Sequence, residues 1–175
     1  MSDIHNIQIR RLIPIGFLSW LTALGIDFFL HGGLFTGLYI ESTAFLLPPE
    51  EAFRRISLGY LSILLLVILI LWLMVRLRLD TWKEGAIFGG KVGLLLGGSM
   101  VLGLFSISTV TWQFLLGSMF AQIVELAAVG AIIGSGLNAE KLRPVLIRVL
   151  ALVIFLLILT ITIQSLGGAT VLKGE

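Results

Sequence analysis

The chain has 175 residues, 58% of them hydrophobic and only 13% charged, with a formal net charge of +2 and a mean hydropathy of +1.08. A soluble domain carries about 25% charge and a disordered chain is poor in apolar residues, so both classes are excluded and a single integral membrane domain spanning 1–175 is expected. The absence of cysteine excludes disulfides, thiolate metal sites, iron–sulfur clusters and cysteine nucleophiles. The basic residues sit mostly in short segments between apolar runs and form no patch interleaved with aromatics. Nucleic acid is therefore not an expected partner, and the lipid bilayer is.

Five apolar segments reach the roughly 20 residues that a span requires. The first runs from Leu12 to Leu38. Arg10-Arg11 before it suggests a secretory signal, but the apolar stretch is too long for one and lacks a small-residue cleavage site, so a first spanning helix is the better reading. The second helix is expected over 49–76. Pro49 suits a first helical position, Glu50 and Glu51 stand four residues before Arg54 and Arg55, and Ile56–Val75 is the apolar part. Gly85–Ile107 and Phe114–Leu137 are the third and fourth, joined by a tight turn at Ser108–Gln113, which makes them an antiparallel hairpin. Gly136 as a stop and Pro144 as a start set off the fifth, Val145–Leu166. Backbone in lipid must bond internally, so the segments are helices, and the alternation of a membrane β-barrel is absent. The expected fold is an all-α polytopic bundle of five transmembrane helices.

The basic residues set the expected orientation. With the N-terminus inside, Arg10, Arg11, Arg76, Arg78, Lys83, Lys141, Arg143 and Arg148 are inside, and Arg54, Arg55 and Lys173 are outside. That asymmetry predicts N-inside and C-outside. The aromatics agree, with Tyr39, Tyr60 and Trp112 at the outer interface and Trp72 and Trp82 at the inner one.

Small residues let membrane helices approach closely. Helix 3 carries Gly85, Gly89, Gly93 and Gly97 every four residues, a packing ladder whose partner, within the chain or in a second copy, the sequence leaves open. Helix 4 has Gly117 and Ala121 on the face of Glu125, and Ala127, Gly130, Ala131 and Gly134 on another. Helices 2 and 5 are runs of Leu, Ile and Val. Helices 1, 3 and 4 are therefore expected inside the bundle, with 2 and 5 outside.

Ionisable groups within spans are costly and are functional candidates by default. They are Asp27, His31, Lys91 and Glu125, with Gln122 beside them. Asp27 and His31 stand i, i+4 on one face of helix 1, as does Trp20. The pair can bind a metal, relay a proton or pin helix 1 to its neighbour, and a metal would need ligands from another helix. Glu125 lies near the middle of helix 4. If helices 1 and 4 touch, Asp27, Gln122 and Glu125 form one polar cluster, which serves equally as a site or as an interhelical clamp; Asp27, His31 and Glu125 are the metal ligands if there is a metal. Lys91 either reaches Glu125 across the hairpin or snorkels to the inner interface; its direction away from Gly89 and Gly93 favours snorkelling. One intramembrane histidine does not make an in-chain bis-histidine haem, although it leaves room for a pigment or a haem shared between subunits. HExxH, GxSxG and GxxxxGK[ST] are absent. No particular cofactor is indicated.

Asp27 in helix 1, the glycine-rich helix 3, Leu102-Gly103-Leu104-Phe105-Ser106-Ile107, and Gln122-x-x-Glu125 followed by Gly130 give the chain a layout that resembles small bacterial multi-spanning membrane proteins of the domain-of-unknown-function kind. The resemblance makes Asp27, Gln122 and Glu125 the first residues to test, and it carries no activity; the expected location is a bacterial inner membrane. Three roles are consistent with the residues. First comes an accessory or structural subunit, assembled with copies of itself or with other membrane subunits. Close behind is an oligomeric transporter or channel for protons, ions or a small solute, lined by Asp27, His31 and Glu125. A membrane-embedded lipid or quinone enzyme ranks third. A Gly85–Gly97 ladder buried against another chain would single out the first.

Overall fold

The computed structural model describes residues 2–41 and 46–171. The elements in order are α1 (Ser2–Phe29), a π-helical turn (Leu30–Leu34), α2 (Thr36–Glu41), α3 (Pro49–Arg54), α4 (Ile56–Leu77), α5 (Trp82–Ile107), α6 (Trp112–Asn138) and α7 (Arg143–Val171). No strand occurs among the described residues. Among the described residues, five stretches are long and apolar enough to cross a membrane: Arg11–Leu34, Ile56–Leu77, Trp82–Ile107, Trp112–Asn138 and Arg143–Leu166. The expected all-α bundle of five such helices is what the chain forms. Lys173 and residues 42–45 of the first connection lie outside the described residues.

The helix ends extend beyond the apolar runs for local reasons. Thr81 caps α5: its hydroxyl accepts the Glu84 N–H at 3.3 Å and donates to the Glu84 carboxylate at 2.7 Å, a reciprocal arrangement that starts the helix three residues before Gly85. Thr111 accepts the Phe114 N–H and starts α6 at Trp112. Helix 2 does begin at Pro49, but Arg55 leaves helical geometry (φ −101°, ψ 4°) and divides it into α3 and α4. The first helix differs most. It is expected as one helix over 12–38; instead it begins at Ser2 and is interrupted at Leu30–Leu34, where the Phe35 N–H reaches back five residues to the Leu30 carbonyl at 2.7 Å.

Packing centres on α1 and α6. Ile15 and Ala23 of α1, Val67, Ile70 and Met74 of α4, and Leu126, Val129 and Ile133 of α6 form the main core, each at most 2% exposed. Near the other end, Ile26, Leu30, Ala121 and Leu156 bring α1, α6 and α7 together. Ser19, Thr22 and Thr160 are fully buried, and each hydroxyl donates to the carbonyl of the preceding turn, so none of these three hydroxyls is stranded. Arg11 reaches across from α1 and donates to the carbonyls of Gly136 and Ala139 at the C-terminal end of α6, where a cation also meets the negative end of the helix dipole.

The glycine ladder packs within the chain. A Cβ built on Gly85 would strike the Gly130 carbonyl, one on Gly89 the Leu126 carbonyl, one on Gly93 the Gln122 carbonyl at 2.7 Å, and one on Gly97 the Met119 side chain at 3.1 Å. The hairpin partner α6 thus fills the ladder with backbone against backbone. This corrects the expected placement of helix 3. α5 packs almost wholly on α6 and lies at the edge of the bundle, with Leu95 73% and Leu102 69% exposed. A small-residue ladder marks one close contact, not a central position. Helices α4 and α7 are outer, as expected.

Candidate functional site

The three ionisable groups expected in spans 1 and 4 meet. Helix α1 delivers Asp27, the π turn carries His31, and the middle of α6 presents Glu125. His31 Nδ1 lies 2.9 Å from Asp27 Oδ1 and 4.0 Å from Glu125 Oε1, and Nδ1 also stands 3.3 Å from the Asp27 carbonyl oxygen. One ligand atom from each of the three residues fits within 4.8 Å of the others. Glu125 is 6% exposed, and its buried Oε1 makes no hydrogen bond. Asp27 and His31 retain about a quarter to a third of their side-chain exposure, so the cluster runs from a dry end at Glu125 to an open end at Asp27.

The cluster forms one wall of a cleft of about 560 Å³, within the size range of ligand sites. Gln122 and Ser118 line it from α6, Met100 and Leu104 from α5, and Gly59, Tyr60 and Ile63 from α4. Ala52 and Arg55 stand at its mouth. Gly59 has open space where a Cβ would be, which helps keep the α4 wall back. Beyond Glu125 the cleft stops against Leu126, Val129, Ile133, Ile70 and Met74, all buried. The cleft therefore opens towards the α3 end, and α4 and α5 do not pack together to close the side between them.

The π turn explains the placement of His31. The insertion leaves carbonyls without ordinary helical partners, and side chains cover them. Thr36 Oγ1 donates to Gly32 O at 2.8 Å and Gly33 O at 3.1 Å, and Gln164 Nε2 of α7 donates to Gly32 O at 2.7 Å. Gly33 lies against Thr160, with a built Cβ 3.5 Å from its methyl. Sequence reasoning missed Thr36 and Gln164; the signal available was His31-Gly32-Gly33, a glycine pair inside an apolar helix.

The remaining candidates divide. Gln122 joins the cleft. Gly117 and Ala121 face helix 1, Gly117 towards Leu38 and Ala121 within the Ile26–Leu30–Leu156 cluster, and so let α6 approach Asp27 and His31. Lys91 does not join them: it is exposed on α5, and no ion pair with Glu125 occurs among the described residues. Its position on the helix directs it away from the ladder that faces α6. Trp20 donates from Nε1 to the Tyr60 carbonyl at 3.0 Å, tying α1 to the α4 wall of the cleft without lining it.

Fold and site together define a class: among the described residues, a helical bundle with five helices able to cross a membrane and an acid–imidazole cluster in a cleft that ends on the buried core. No family model, curated protein or solved structure matches the chain.

Proposed function

We propose that the protein is an integral membrane metal-binding protein, in which Asp27, His31 and Glu125 hold one divalent transition-metal ion and the cleft leaves a coordination position open. The observation that carries this reading is the buried Glu125 Oε1 without a hydrogen-bond partner, beside two other ligand residues within 4.8 Å. A four-coordinate ion with bonds of about 2.0–2.2 Å holds its ligand atoms roughly 3.3 Å apart. The His31–Asp27 and His31–Glu125 separations of 2.9 and 4.0 Å bracket that spacing. An imidazole with two carboxylates suits zinc, iron or manganese better than calcium or magnesium, which favour all-oxygen sites. An ion there supplies Lewis acidity towards whatever enters from the mouth. Gln164 and Thr36 act through the π turn, by fixing the backbone that carries His31.

The accessory-subunit reading loses its distinguishing feature, since the Gly85–Gly97 ladder is filled by α6 of the same chain. Association with a second copy or another membrane subunit would have to use other surfaces, such as the outer face of α5, where Gly98 and Gly103 have open space. A conducting path is not favoured, because the cleft ends on a dry core. In the expected N-inside orientation, the α3 end of the cleft faces the outside.

The test is metal analysis and titration of detergent-purified protein after chelator treatment. The expected result is one equivalent of Zn²⁺ or Mn²⁺ per chain, with affinity lowered at least tenfold in Asp27→Asn, His31→Gln and Glu125→Gln. No stoichiometric ion, or unchanged affinity in Glu125→Gln, overturns the reading.

A further inference from the structure

At the opposite end of the bundle lies a second cleft, of about 820 Å³. It forms where α5 and α7 begin and α6 ends. Helix α7 packs mainly on α1, and Val145 and Val149 meet Leu18, Ile132 and Ala139 beneath the cleft, so the opening lies above that cluster, at the helix ends. Three spans begin or end at this level, at Trp82, Asn138 and Arg143. The opening is therefore at the depth where hydrocarbon gives way to headgroups.

Its chemistry is cationic. Lys83, Lys141 and Arg148 line it, against Glu140 as the one lining acid. All three cations are exposed, and among the described residues none lies within 4.0 Å of a carboxylate. The nearby Glu84 carboxylate is held by the Thr81 hydroxyl. Lys83 Nζ lies 5.6 Å from the centre of the Trp82 ring, and Trp82 is 57% exposed, an aromatic placed as interfacial tryptophans are. The first-turn N–H groups of Trp82 and Lys83 have no partner within their own helix and add to the positive field. Gly134 and Val145 give the cleft buried, apolar footing beneath these charges.

We propose that this cleft binds an anionic phospholipid, with the phosphate among Lys83, Lys141 and Arg148 and the start of an acyl chain on the apolar footing of Gly134, Pro144 and Val145. Charge complementarity selects the anion. The apolar floor and the position at the span ends select a lipid over a soluble phosphate. This inference is independent of the metal reading.

The test is native mass spectrometry of full-length protein released from nanodiscs of phosphatidylglycerol and phosphatidylcholine in equal amounts. One retained phosphatidylglycerol per chain is expected, preferred over phosphatidylcholine. Retention should fall about fivefold for each of Lys83→Gln, Lys141→Gln and Arg148→Gln, and on the order of a hundredfold for the triple variant. Arg54→Gln, at the other end of the bundle, should leave it unchanged; equal loss there, equal retention of both lipids, or retention surviving the triple variant overturns the proposal. In a parallel arm, inorganic phosphate is titrated in neutral detergent. Phosphate binding without a preference for phosphatidylglycerol shows a soluble-anion site and overturns the lipid assignment. Circular dichroism of each variant separates a lost site from a lost fold.

Discussion

Replacing Gly89 by alanine places a methyl group on the Leu126 carbonyl across the α5–α6 contact, at a distance no real side chain tolerates. The obstruction is backbone on both sides, so the helices must separate locally instead of a side chain rotating away. Overpacking of this kind costs about 1–3 kcal/mol; alanine's better helix propensity returns about 1 kcal/mol at either position, so Gly89→Ala should lie about 1–3 kcal/mol below an alanine that meets nothing. Gly98→Ala is the internal control: nothing lies within 4 Å of its added methyl, so it should be neutral or slightly stabilising. Gly97→Ala, which meets only the Met119 side chain and the nearby α6 backbone at 3.1 Å or more, should fall between them. Unfolding by SDS in mixed micelles, followed by far-UV circular dichroism, measures the series, with light scattering for oligomeric state. If Gly89→Ala proves as stable as Gly98→Ala, or alters only self-association, the ladder is not an intrachain contact and the reasoning fails.

Glu125→Met removes a buried carboxyl oxygen that has no hydrogen-bond partner and keeps a similar volume, so in chelator it should raise stability by about 1–3 kcal/mol while abolishing the metal response; a drop in thermal midpoint in chelator would contradict this. Arg11→Met deletes the donors to Gly136 and Ala139 and should cost about 1.5–3 kcal/mol, with faster hydrogen exchange confined first to the C-terminal turn of α6. Gln164→Leu uncovers the Gly32 carbonyl and should weaken metal affinity about tenfold through the π turn. Titration of the variant beside wild type reads this, and an unchanged Kd would remove Gln164 from any positioning role.

The spans were legible because lipid imposes a one-dimensional rule: about 20 apolar residues, hydrogen-bonded within the segment. The α5–α6 hairpin followed from the short turn after Ile107, and Asp27, His31 and Glu125 stood out because charge within a span requires a partner. Their meeting required something the pattern lacks, namely which faces of α1 and α6 pack together. Gly117 and Ala121 record that packing only once Leu38 and Ile26 are known to lie opposite. The ladder was equally plain as a motif and silent about its partner, since close backbone approach is the same physics within a chain or between two. Lys91 shows the converse, a charge prominent in the sequence that the fold leaves on the outside. The π turn, with Thr36 and Gln164 covering its carbonyls, was decided by tertiary structure, because one extra residue in a helix changes no composition or periodicity strongly enough to read. The sequence by itself determined the class, the spans and the residues in need of a reason. The packing of α1 on α6 decided that three of those residues share one cluster, because only contact between helices distant in sequence brings isolated ionisable groups together.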